Sequence, residues 1–201
     1  MTLAEARAMY FARNGFGDDG GYTKRWVTFK LGPFPVGFPN TAGRKRAVRF
    51  HDLHHVVTAY PTTTAGEGMI GSWEIATGCR ALPVAWMLNF TGFSAGLVLA
   101  PRAVYRAWVR GRHTKNLYGD DFGDALLAET VATARARLGL DGGAPVPTLA
   151  DNVSFAAMAV AGVVALVGFW SVFAIPTLVA MAVFLIVQGA MAAGRAVAGR
   201  G

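Results

Sequence analysis

RFHDLHHVVTAYPTTTAGEGMIGSWEIATG, residues 49–78, reads as two helices joined at a sharp break. The basic residues Arg44, Lys45, Arg46 and Arg49 open the first helix, predicted over 45–59. Pro61 ends it, because proline lacks a backbone N–H and disfavours helix at the residue before it. Thr62, Thr63 and Thr64 offer hydroxyl caps for a second helix running to Thr77. His51 and His55 are one turn apart and share a face of the first helix. Asp52 lies about 100° round from His51 and about 60° from His55. Glu67 sits in the first turn of the second helix, where the reversal of the chain brings it back. Two imidazoles and two carboxylates therefore have a route to one point.

That set follows the logic of HExxH, in which histidines at i and i+4 hold a metal and a distant residue completes the site. Asp52 stands where a metalloprotease has its glutamate, which argues against that enzyme class. Nitrogen and oxygen donors of this kind suit Zn²⁺ best and also accept Fe²⁺ or Mn²⁺. The same spacing occurs on polar helix faces that hold no metal, so spacing alone leaves both readings open. His54 points away from the His51–His55 face and reads as a surface residue or as a support behind a ligand. The chain has four histidines, and His113 is the one outside the cluster. The several histidine boxes of membrane di-iron oxygenases are therefore excluded.

Outward from this pair, the sequence is mostly helical. Residues 2–10 predict a short first helix, and the Gly- and Pro-rich residues 14–43 predict loop or extended chain. Residues 82–100 are apolar, with Asn89, Thr91 and Ser94 interspersed. They are expected to form a buried helix lining a pocket rather than a membrane span. Arg102, Arg106 and Arg110 follow at helical spacing as a basic stripe. The stripe would face lipid phosphates, a substrate carboxylate or plain solvent. A last helix is expected over 122–138, then a linker over 139–148.

From residue 152 to 194 no residue is charged. One helix of that length would be roughly twice as long as a bilayer core is thick. Two spans, over 153–173 and 176–194 with a break at Pro176, fit the run. The fold class expected is thus all-α: a helical bundle carrying a metal-binding helix pair, plus a C-terminal transmembrane helical hairpin. The division falls into a helical domain over 1–145, to which the resemblance given below assigns metal and lipid binding, and a two-helix membrane anchor over 146–201. Of the 201 residues 53% are hydrophobic and 15% charged, which excludes a disordered chain and disfavours an ordinary soluble globule. The single cysteine, Cys79, excludes an intrachain disulfide and a cysteine zinc cluster. The first residues lack the pattern of a secretory signal. With Lys+Arg 19 against Asp+Glu 12 and Arg195 after the second span, the bulk is expected on the cytoplasmic face of a membrane, the bacterial inner membrane. A basic run at 44–49 without an aromatic platform gives no expectation of a nucleic-acid partner.

His51-Asp52-x-x-His55, eleven residues, then Glu67 resembles the HDxxH-x11-E motif of the coenzyme Q biosynthesis protein four family. Arg49 and Phe50 before it, Val56 to Thr62 after it, and residues 111–140 resemble that family as well. The resemblance covers about 44–140, and the hydrophobic tail departs from the family's membrane-peripheral form. The resemblance implies an all-helical fold and a metal, taken as zinc, held by His51, Asp52, His55 and Glu67. It implies a role in ubiquinone biosynthesis on a polyprenylated hydroxybenzoate-type precursor, as a metal-dependent lyase performing oxidative decarboxylation at ring carbon one. The alternative it carries is a non-catalytic, isoprenoid-lipid-binding scaffold for other quinone-biosynthesis proteins.

Overall fold

Thr2 starts the fold. Its side chain accepts from Glu5 N and the Glu5 carboxylate accepts from Thr2 N, a capping box that opens helix α1 (Leu3–Asn14). The computed structural model describes residues 1–31, 34–169, 171–172 and 175–198. Where loop or extended chain was expected, an antiparallel pair forms, β1 (Trp26–Leu31) and β2 (Phe34–Pro39), with Trp26 opposite Pro39 and Leu31 opposite Phe34. Both strands are edges, which is why Pro35 and Pro39 are tolerated. The loop before β1 is tied down by Asp19, which accepts from the N–H groups of Gly21 and Thr23.

Helix α2 (Ala42–Thr58) is capped by Thr41 and ends at Ala59, whose backbone is left-handed. Helix α3 (Thr64–Thr77) is capped by Thr63, which accepts from Gly66 N. A side chain at Gly66 would place its Cβ 1.9 Å from the Pro61 carbonyl oxygen, so this turn requires glycine. Helix α4 (Pro83–Leu99) packs along α3 at backbone distance: a Cβ at Gly68 would stand 2.6 Å from Gly96 Cα. Asn89, Phe93 and Ser94 of α4 are buried, while Trp86, Met87, Val98 and Leu99 are exposed. Helix α5 (Pro101–Arg112) covers the other flank of α3, and Ser72 Oγ donates to the Val104 carbonyl at 2.8 Å.

The expected helix over 122–138 is two helices, α6 (Asp124–Ala128) and α7 (Val131–Leu138). The break falls where the first residues of the chain dock: Leu3 N donates to the Glu129 carbonyl and Val131 N to that of Met1. Thr130 then caps α7 by accepting from Thr133 N. Phe50, Leu53, Val57, Ile70, Trp73 and Phe93, all fully or almost fully buried, form the centre of the core between α2, α3 and α4.

Helix α8 (Leu149–Phe169) begins with a reciprocal cap between Thr148 and Asp151. Helix α9 (Ile175–Ala198) follows. The chain divides into two compact units, residues 1–162 and residues 163 onward. Within the first, the start of α8 packs on α4 and α5, with Phe155 against Phe93, Tyr105 and Trp108. The segment Leu149–Gly168 is, among the described residues, the one helix long and apolar enough to cross a bilayer, and 11% of its most apolar window is buried. Thr177–Gly189 is a shorter apolar stretch. Most of the expected turn between spans, at residues 170, 173 and 174, lies outside the described residues.

Candidate metal centre

His51 and His55 leave α2 one turn apart, and their Nε2 atoms come within 3.2 Å of each other. Glu67, in the first turn of α3, places Oε2 3.3 Å from His51 Nε2 and Oε1 3.3 Å from His55 Nε2. The ligand atoms of these three residues all lie within 4.8 Å of one another. A tetrahedral ion bound at about 2.0–2.1 Å keeps its ligands about 3.3 Å apart. The His51–His55 pair has that spacing, and each imidazole has it to one oxygen of Glu67, His51 to Oε2 and His55 to Oε1, so the carboxylate faces the pair with both oxygens.

What lies behind each imidazole fixes which nitrogen is free. The His55 Nδ1 sits 2.9 Å from the Tyr60 carbonyl oxygen, which only accepts, so Nδ1 carries the proton and Nε2 presents its lone pair. The His51 Nδ1 donates in the same way to Glu74 Oε1 at 2.8 Å. Two nitrogen lone pairs and a carboxylate thus face one another. A cation between them, a metal ion or a proton on His51 Nε2 shared with Glu67, satisfies these acceptors, and the carboxylate and carbonyl behind the imidazoles are the supports expected of a metal site. Glu67 is 40% exposed, so the set is reachable from solvent, whereas the His55 ring is almost fully enclosed. Tyr10 stacks on His55 with ring centroids 5.5 Å apart.

The electrostatics agree with the geometry. Burial works against a charged His51, yet the Glu74 carboxylate, helped by Glu67, lifts its pKa well above the ordinary value. Burial alone would raise Glu67; its hydrogen bonds to His51 and His55 bring it down to about 2. The field at the point where the three ligands meet therefore favours positive charge.

Asp52 is placed beside this set. It is buried, and its Oδ2 accepts from the Tyr22 hydroxyl at 2.5 Å. Burial raises its pKa above the ordinary carboxylate value. His54 is fully buried rather than on the surface: Nδ1 donates to Glu74 Oε1 at 2.8 Å and Nε2 accepts from Leu117 N at 3.0 Å. Burial pulls its pKa below the ordinary value. Helix α4 contributes nothing to the cavity of about 840 Å³ that lies along α5 and α7; it packs on α3 instead. Of the arginine stripe, Arg106 and Arg110 line that cavity and Arg102 does not.

Sequence reasoning missed Glu74. It is fully buried and saturated with donors: His51 and His54 on Oε1, Tyr118 and Asn89 on Oε2. Its signal was legible, since Glu74 follows Glu67 by seven residues on the same face of α3, inside the apolar run MIGSWEIA. A carboxylate there needs partners to offset its burial. No protein-family model, no curated protein and no solved structure matches the chain.

Proposed function

We propose that this chain is a membrane-bound metalloprotein of ubiquinone biosynthesis that acts on a polyprenylated hydroxybenzoate-type precursor. The observation that carries this reading is the convergence of His51, His55 and Glu67 at the spacing of a metal's ligands. The fixed motif spacing and the apolar C-terminal helices add to it. The metal proposed is zinc, with Fe²⁺ and Mn²⁺ as the alternatives that the same donors accept.

When bound, the ion supplies Lewis-acid stabilisation of negative charge on the carboxylate and phenol oxygens of the head group. The chain's own residues do the rest. Glu74 and the Tyr60 carbonyl hold the two imidazoles in the tautomers that bind. Glu67 would complete the three-ligand set. Asp52, with an oxygen engaged by Tyr22, would stand beside a bound ion rather than hold it tightly, and an ion held by three ligands would keep a position for substrate. An open position is the mark of catalytic rather than structural zinc. The reaction proposed is the metal-dependent oxidative decarboxylation at ring carbon one: the carboxyl group would leave as CO2, a hydroxyl from water would take its place, and a two-electron acceptor from outside the chain would take up the electrons, since zinc has no redox chemistry. The apolar outer face of α4, with Trp86, Met87, Val98 and Leu99, suits an isoprenoid tail. In this reading α8 and α9 form a hairpin in the membrane, with both ends and the basic body on the cytoplasmic side.

The test reads metal content and quinone level in cells that depend on this chain, with the wild type and His55→Ala. Joint loss of metal and quinone, with unchanged helical content, supports the enzyme. Normal quinone in a metal-free, folded variant overturns it in favour of a lipid-binding scaffold for other quinone-biosynthesis proteins.

A further inference from the structure

The cavity of about 840 Å³ is separate from the three metal ligands, none of which lines it. Its walls come from α5, from Arg135 of α7 and from the 139–147 segment that leads into α8. Three arginines line it, Arg106, Arg110 and Arg135. Arg135 is paired with Asp141 at 2.9 Å, so that charge is offset. Arg110 is held in place by the Thr58 and Leu140 carbonyls and by the Tyr60 ring, all neutral, so its charge is not. Arg106 is exposed and makes no hydrogen bond or ion pair among the described residues. The cavity therefore carries a net positive charge, with one fixed and one free guanidinium. Its volume suits a drug-sized ligand.

Its position says which anion. Pro145 and Pro147 of the wall lie just before Leu149, where the apolar helix α8 begins. Tyr105 and Trp108 on α5 reach that same end of α8, donating to Asn152 and Ser154. Tyrosine and tryptophan at the end of an apolar helix mark headgroup depth. Basic pockets at that depth bind anionic lipid headgroups.

We propose that this cavity binds the phosphodiester headgroup of an anionic phospholipid, with Arg106 as the direct ligand and Arg110 as the fixed charge behind it. The proposal rests on the reading that α8 enters a bilayer, and is independent of what the metal centre does.

The experiment uses the full chain in micelles containing equimolar phosphatidylglycerol and phosphatidylcholine, with bound lipid counted by native mass spectrometry. Phosphatidylglycerol adducts should exceed phosphatidylcholine adducts about fivefold, the factor of one basic side chain at a headgroup. Arg106→Glu should bring the ratio to about one, while Arg102→Glu, the same charge change on the same helix outside the cavity, should leave it. Equal adducts in the wild type, or equal loss in both variants, overturns the assignment. So does abolition of the preference by millimolar inorganic phosphate with retention of phosphate itself, which would make this a free-phosphate site. Metal content and carbonate-resistant membrane retention are read on the same preparations. A failure of the metal or membrane reading is thereby seen apart from a failure of this one.

Discussion

Replacing Glu74 by Gln keeps the shape of the side chain and removes the charge behind His51. Supporting carboxylates of this kind set ligand orientation, and their loss costs roughly 10–100-fold in metal affinity. Competition with a chromophoric chelator should show that loss for Glu74→Gln; an unchanged affinity would mean that Glu74 serves the core alone. Cys79 tests the other side of the same network. It is fully buried, and burial, aided by the Glu74 charge, pushes its thiol up to about 12. Thiolate is the reactive form, so alkylation should be absent in the folded chain and complete on unfolding. At this scale the sequence was readable where helical period fixes direction: His51, His55 and Glu67 share a point because i, i+4 and a capped turn put them there. Asp52 was less readable. The tyrosine that engages it comes from residue 22, on a loop whose course no periodicity announces.

The helices α3 and α4 owe their closeness to glycine, and that closeness sets where Glu67 stands. A Cβ at Gly68 would meet the backbone of Gly96, and one at Gly92 would stand 2.9 Å from the Glu67 carbonyl oxygen. Backbone cannot give way as a flexible side chain does. Overpacking typically costs about 1–3 kcal/mol, and Gly68→Val should reach the upper end. Thermal unfolding followed by circular dichroism should show a Tm lower by several degrees, together with weaker metal binding; a wild-type Tm would contradict the close packing. In the sequence nothing about Gly92 and Gly96 points to this contact, because a stripe of small residues does not announce its partner. The break between α6 and α7 was hidden for a similar reason. Thr130 is a good cap for α7, but what holds the chain extended there is the docking of residues 1–3, far away in the sequence. The strand pair was masked by Gly and Pro, which are compatible with a two-stranded edge as well as with loop.

The molecule as a whole joins a basic body, which carries the His51–His55–Glu67 group, to apolar helices. The charge-free run was the plainest feature of the sequence, since it needs only length and composition to be read. The candidate metal site needed a motif as well, and its supporting residues needed the fold. A chain ending after Gly162 retains the packing of Phe155 on α4 and α5 but keeps too little of α8 to cross a bilayer. It should be extracted from membranes by carbonate while the full chain is retained, and it should bind metal as the full chain does. Retention of the shortened chain would place membrane attachment elsewhere. The central claim is tested most directly by the metal-to-protein ratio of the full-length chain, purified without chelator and supplied with zinc, beside His55→Ala. One divalent ion per chain in the wild type, and less than about a tenth of that in a folded variant, is the predicted result given that structural and catalytic zinc sites both need their histidines. A wild-type chain that retains no ion, or a variant that retains as much, would contradict it.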